Sequence, residues 1–168
     1  MDLIETIKNR KSQRSFIDKP ICKQDIEAII DAARYAATAR NIQPWEFIVV
    51  TVKEMREKIA QIATTGSFIA EASACVVVFC EDTKYYLEDG CAATENILLA
   101  ATALGIESCW VAGDKKPYSQ TLNKLLDVPS EYKLVSLIAL GYSNETKDAP
   151  KKRSLQEILH WEKFSEKV

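Results

Sequence analysis

The chain has a single histidine, His160, among its 168 residues. That excludes metal centres built from several imidazoles and leaves one candidate for a histidine-based triad, close to a charged terminus. Its five cysteines, Cys22, Cys75, Cys80, Cys91 and Cys109, are odd in number and contain no CxxC pair. This argues against a disulfide framework and against an iron–sulfur or zinc cluster, so buried thiols are expected. Cys109 is read the same way, because it stands in an apolar stretch with no base nearby in the sequence. Glycine is scarce, at five residues, and neither GxGxxG nor GxxxxGK[ST] occurs. The dinucleotide fingerprint and the P-loop are therefore both missing.

An excess of either charge is missing as well. With 22 basic and 24 acidic side chains the formal net charge is −2, so no bulk field draws the chain to nucleic acid or to an anionic membrane. Any anion site must be local. No apolar run is long enough to span a bilayer, and the opening MDLIETIKNR does not read as a secretory signal. A cytoplasmic protein is expected, with one domain over 1–168, since nothing in the composition divides the chain.

What is present is a set of well-marked periodic segments. Residues 2–11 read as a helix capped by Asp2, with Leu3, Ile4 and Ile7 on one face. Ile26, Ile29, Ile30, Ala33 and Ala37 mark a second amphipathic helix over 23–37. Strands are expected at 46–52, 74–80, 106–111 and 132–140, the first two as buried strands. Helices are expected at 53–62, at 85–104, at 117–126 opened by Pro117, and at the C-terminal end carrying Trp161 and Phe164. The helix at 85–104 is apolar on most faces and needs cover on most sides, which a second subunit could supply. These elements do not follow a regular βαβ rhythm. The expected fold class is α+β, with helices around a central, mainly antiparallel sheet of about four strands.

Two basic clusters stand out in this acidic chain: NRKSQRSF at 9–16 and KKRS at 151–154. Arg10, Ser12 and Arg14 alternate along the chain where the first helix unwinds, so two guanidinium forks and a hydroxyl could converge on one phosphate. Lys151 and Arg153 could close the site from the other side. The bland alternative remains open: cations at a helix end complement its dipole, and 147–153 reads equally as a solvated basic loop. The stretch RNIQPWEF at 40–47 raises a similar choice. Asn41 and Pro44 suffice for a turn and Trp45 suits a core, while Gln43 has no evident task.

Together these segments resemble the nitroreductase family of FMN-dependent NAD(P)H oxidoreductases, and the likeness runs over nearly the whole chain. NRKSQRSF, ATARNIQPWEF, DGCAATENILLAATALGIESCW, VAGD and KKRSL occur in the family's order. The resemblance implies an intertwined homodimer with FMN at its interface, and NAD(P)H as electron donor. It places Arg10, Ser12 and Arg14, with Lys11 through its backbone, on the phosphate and ribityl chain, joined by Lys151 and Arg153. Thr38, Ala39 and Asn41 would reach the flavin from the partner subunit. Ala112 would present a backbone amide to the flavin, with Gly113 allowing close approach. No side-chain acid or base is then needed, and one open face serves donor and acceptor in turn by a ping-pong mechanism. Nitroaromatics, quinones or similar small molecules are the implied acceptors. Dehalogenation, enone reduction, or a flavin-binding or redox-sensing module without efficient turnover are the alternatives. Thr38 stands where the family usually has serine, Ala37 where it has proline, and Ala112-Gly113 where it commonly has a glycine pair.

Overall fold

The computed structural model describes residues 2–145 and 151–165; Met1, 166–168 and the stretch 146–150 within the expected basic loop lie outside the described residues. Six helices and four strands are described: α1 Leu3–Asn9, α2 Lys23–Ala33, β1 Trp45–Val50, α3 Lys53–Ile62, β2 Ala74–Glu81, α4 Tyr86–Ala103, β3 Glu107–Ala112, α5 Ser119–Leu125, β4 Tyr132–Gly141 and α6 Leu155–Ile158. Short 3-10 turns occupy Ala39–Asn41 and Thr64–Ala70.

The sheet runs β1-β2-β4-β3, and every pairing is antiparallel. This is the expected α+β arrangement. Alternation along β2 explains how a strand of seven buried residues and one exposed one is accommodated. Ala74, Val76, Val78 and Cys80 enter one apolar layer with Ile29, Ala93 and Ile97 from α2 and α4. Cys75, Val77 and Phe79 enter the opposite layer with Ile59 of α3 and Leu122 of α5. Both faces of the sheet are therefore covered by helices. β1 differs from the expectation of a buried strand: it is an edge strand in which only Trp45 and Val50 are buried.

Helix α4 packs against α2, α1 and the sheet, so much of its cover comes from its own chain. Asn96, a polar residue in this apolar helix, donates from Nδ2 to the Ala32 carbonyl at 3.1 Å and fastens α4 to α2. Helix α1 is capped as expected, with the Asp2 carboxylate accepting from the Glu5 amide at 2.9 Å. Its apolar face is left uncovered, with Leu3 68%, Ile4 58% and Ile7 47% exposed.

The C-terminal helix is shorter than the pattern suggests. A capping box between Ser154 and Glu157 opens α6, which ends at Ile158, so Trp161 and Phe164 lie beyond it and stand 75% and 85% exposed. Spacing alone could not separate this from a longer helix, because no core of the same chain exists there to enforce one.

Candidate functional site

The first basic cluster begins where α1 stops. Arg10 closes the helix as its C-cap, and the chain then runs extended, with Ser12 bridged to Ser108 of β3 and the Gln13 amide donating to the Ser108 carbonyl at 2.9 Å. Extended chain sends successive side chains to opposite sides. Gln13 points inward and is fully buried, whereas Arg14 is exposed and Ser12 half-buried. Gln13 is locked at both ends of its amide. Its Oε1 accepts from the Arg14 and Ser15 amides at 2.9 and 3.3 Å, and its Nε2 donates to Ser143 Oγ at 3.0 Å and to the Glu145 carbonyl at 3.3 Å.

The cations of this cluster face different neighbours. Arg10 Nε lies 3.8 Å from the Glu95 carboxylate, Lys11 Nζ lies 3.8 Å from that of Glu107, and the Arg14 guanidinium sits 5.9 Å from the Phe68 ring centroid. Both ion pairs are long and partly solvated, a geometry that contributes little and leaves the cations able to re-pair. Lys151 and Arg153 are exposed, and Arg153 Nη2 donates to the Glu157 carbonyl within the C-terminal segment itself.

The connection from α2 to β1 is the most constrained backbone in the chain. Arg40, Asn41 and Gln43 all adopt left-handed φ values, 55°, 57° and 54°. For residues with a side chain such a conformation costs about 1–3 kcal/mol each and persists only where surrounding contacts hold it. Those contacts converge on Asp89 in the first turn of α4. Its carboxylate accepts from Thr38 Oγ1 at 3.0 Å and from the Ala39 amide at 3.1 Å, while Thr38 Oγ1 accepts in turn from the Gln43 amide at 3.2 Å. Asp89 is 5% exposed, whereas Asn41 and Gln43 are open to solvent. Trp45 is buried and stacks on Phe47 at 6.5 Å, so it belongs to the core.

The third segment leaves β3 at Ala112, whose carbonyl accepts from Tyr118 Oη at 2.5 Å. Gly113 and Asp114 both donate their amides to the Val135 carbonyl, at 3.0 and 3.3 Å. A Cβ on Gly113 would lie 2.6 Å from Leu134 Cγ. The space that glycine leaves is thus filled by the chain's own leucine. Asp114 accepts from Tyr86 Oη at 2.6 Å, and this bond, with burial second, pushes the Tyr86 phenol up to about 12. A cavity of about 750 Å³ opens beside this turn, between Tyr86, Lys116, Asn123, Lys124 and Tyr132.

Asp89, Gln13 and Tyr86 escape sequence reasoning. Each acts on a segment far away in the chain, and the only local signal was an acidic residue beside Gly90 at the start of an apolar helix. Burial drives the thiols of Cys75 and Cys80 up to about 12, in keeping with inert cysteines. Among the described residues no His/Cys/Asp/Glu group could hold a metal ion, and no helix is long and apolar enough to cross a membrane.

The family profile described as "Putative TM nitroreductase" matches residues 2–168. A protein of Archaeoglobus fulgidus named "Putative NADH dehydrogenase/NAD(P)H nitroreductase" is 39% identical over 88% of this chain and 88% of its own. One of the same name from Methanothermobacter thermautotrophicus is 32% identical over 98% of this chain and 88% of its own. Among solved structures, an FMN-dependent nitroreductase from Clostridium difficile superposes with a TM-score of 0.90 at 30% identity, over 96% of this chain and 99% of that one.

Proposed function

The chain belongs to the nitroreductase family, and from that membership we propose that it is an FMN-dependent oxidoreductase acting on NAD(P)H and on small acceptors such as nitroaromatics or quinones. The observation that carries this reading is the extended strand at 10–14. Its buried Gln13 faces inward and leaves Arg10, Ser12 and Arg14, at alternate positions, on the opposite side. That donor set suits a phosphate monoester, because guanidinium forks and a hydroxyl match its oxygens and its charge is offset locally in a chain with no cationic excess.

FMN, when bound, would supply the hydride-transfer chemistry between NAD(P)H and the acceptor. The residues of this chain bind and orient. Arg10, Ser12 and Arg14, with Lys11 through its backbone, would hold the phosphate and ribityl end, joined by Lys151 and Arg153 from the C-terminal segment. Thr38, Ala39 and Asn41 would approach the ring from a partner subunit, Asn41 through its exposed side chain, since Thr38 Oγ1 and the Ala39 amide are taken up by Asp89. Ala112 offers its backbone amide on the other side, and Gly113 keeps that turn seated on Leu134. No side-chain acid or base is required.

The homodimer is supported by apolar side chains that this chain does not cover. Leu3, Ile4 and Ile7 on α1, with Leu155, Ile158, Trp161 and Phe164 at the C-terminal end, are all more than 45% exposed. So many exposed apolar groups at the two termini mark an interaction surface. A second copy is the occupant we infer, because the family resemblance implies that 38–41 of one subunit and 10–14 of the other serve one flavin.

The test is anaerobic spectroscopy of the purified protein reconstituted with FMN. A bound-flavin spectrum that bleaches on adding NADH or NADPH, followed by parallel double-reciprocal plots with a nitroaromatic or quinone, is the expected result. Tight binding without bleaching would leave only a flavin-binding module, and no binding would overturn the assignment of the basic strand.

A further inference from the structure

We propose that Asp89 is a positioning residue, and that with Tyr86 it makes the first turn of α4 a brace holding the 38–43 turn and the 112–114 turn in register with each other. The inference rests on the functional reading above, in which these two segments face flavin. Its geometry does not. Tyr86 and Asp89 are separated by less than one helical turn, so they form one rigid unit. From that unit the Asp89 carboxylate reaches Thr38 Oγ1 and the Ala39 amide at 3.0 and 3.1 Å, and Tyr86 Oη reaches Asp114 at 2.6 Å.

The chemistry of the carboxylate explains why an acid stands here. Asp89 meets two donors at once, the hydroxyl on Oδ2 and the amide on Oδ1, and a carboxylate accepts at both oxygens without turning a hydrogen toward either donor. Thr38 Oγ1, having given its hydrogen to Asp89, has lone pairs left for the Gln43 amide at 3.2 Å. The relay therefore runs from the buried acid through one hydroxyl to the third of the left-handed residues, Arg40, Asn41 and Gln43. No glycine stands in the turn, and of its three left-handed residues only Asn41 is of a type that adopts this conformation readily, so Arg40 and Gln43 depend on contacts to hold theirs. An unbraced turn would relax, and the exposed amide of Asn41 would lose its fixed direction.

The brace also bears on which flavins are linked. In the proposed dimer the 112–114 turn faces the flavin held by its own basic strand, and the 38–43 turn faces the other. One turn of α4 is therefore hydrogen-bonded to two turns that would face different flavins.

The experiment compares wild type with Asp89→Asn, Thr38→Val and the double variant, measuring FMN dissociation constant, flavin midpoint potential and thermal unfolding on the same samples. Asparagine keeps the shape but turns one acceptor into a donor, and valine keeps the shape of threonine without its hydroxyl. The expected result is an FMN Kd raised at least tenfold in each single variant, with the double no worse than the more affected single, and a shifted potential. A fall in unfolding temperature with Kd and potential unchanged would overturn the brace, as would single effects that simply multiply. Should Asp89→Asn fail to fold, Thr38→Val gives the same readouts. A wild-type chain that takes up no FMN would overturn the functional reading and the brace with it, whereas wild-type binding with unaffected variants would overturn the brace alone.

Discussion

Gln13 Nε2 donates to Ser143 Oγ at 3.0 Å, joining positions 130 apart in the chain. The strand that carries the first basic cluster is thereby tied to the segment that follows β4 and leads toward the second.

Replacing Gln13 by leucine removes this tie and leaves the Arg14 and Ser15 amides without their acceptor. An unsatisfied buried group costs about 1–3 kcal/mol, and since both amides are only part-buried the low end applies to each, for a loss of roughly 2–4 kcal/mol. Urea unfolding should show a lower midpoint at an unchanged slope. FMN affinity should fall too, because Ser12 and Arg14 flank the displaced residue. A midpoint within error of wild type would show that the tie carries no stability.

Arg10→Ala and Arg14→Ala each remove a charged donor from the proposed phosphate site. A charge-assisted hydrogen bond contributes about 1.5–3 kcal/mol, which corresponds to a Kd for FMN raised roughly 10- to 150-fold. Quenching of flavin fluorescence on titration measures this directly. Changes below twofold for both variants would leave Arg10 to its partner Glu95 and return Arg14 to solvent.

The thiols give a pH-dependent prediction. Burial holds Cys75 and Cys80 near 12 in the folded chain against an ordinary value of 9.0, and it pushes Cys91 up as well. A group with a raised folded pKa adds stability that is fully present below its unfolded value and lost as pH climbs through the folded one. Unfolding temperature should therefore fall from about pH 9 upward toward 12. At pH 8 a thiol reagent should label Cys22, the exposed cysteine, far faster than the other four, and Cys22→Ser should abolish the fast phase. Two or more fast thiols in the native protein would contradict the burial that sets these values.

Trp161 and Phe164 provide a test of the dimer that leaves the fold of the sheet untouched, since both side chains are mostly solvent-exposed within their own chain. Asp substitution at both should shift sedimentation from dimer toward monomer at micromolar concentration, with circular dichroism unchanged. Unaltered sedimentation would remove the C-terminal segment from the interface.

Legibility from sequence followed the range of the forces involved. The buried strand β2 and the long helix α4 stood out because apolar periodicity repeats over many residues and is reinforced at each step. The basic strand was legible because alternation of Arg10, Ser12 and Arg14 is a local property. β1 reads as a buried strand from its sequence but lies at the sheet edge, because β-branched composition looks alike in an edge strand and a central one. The C-terminal pattern suggests a longer helix for a similar reason: Trp161 and Phe164 have helical spacing, yet both are mostly exposed and the Phe164 ring stacks on His160 at 4.3 Å. Gln13 and Asp89 were invisible, each being polar residues whose partners are distant in sequence.

The sequence by itself determined where β2 and α4 lie, the α+β class and the residues able to meet a phosphate, since these depend on periodicity and on side-chain chemistry within a few positions. Tertiary structure alone decided that one turn of α4 would hold two separate loops and that Gln13 would anchor the basic strand. It also decided that Gly113 would make room for Leu134, because a hydrogen bond or a contact between remote segments exists only once the chain has closed around it.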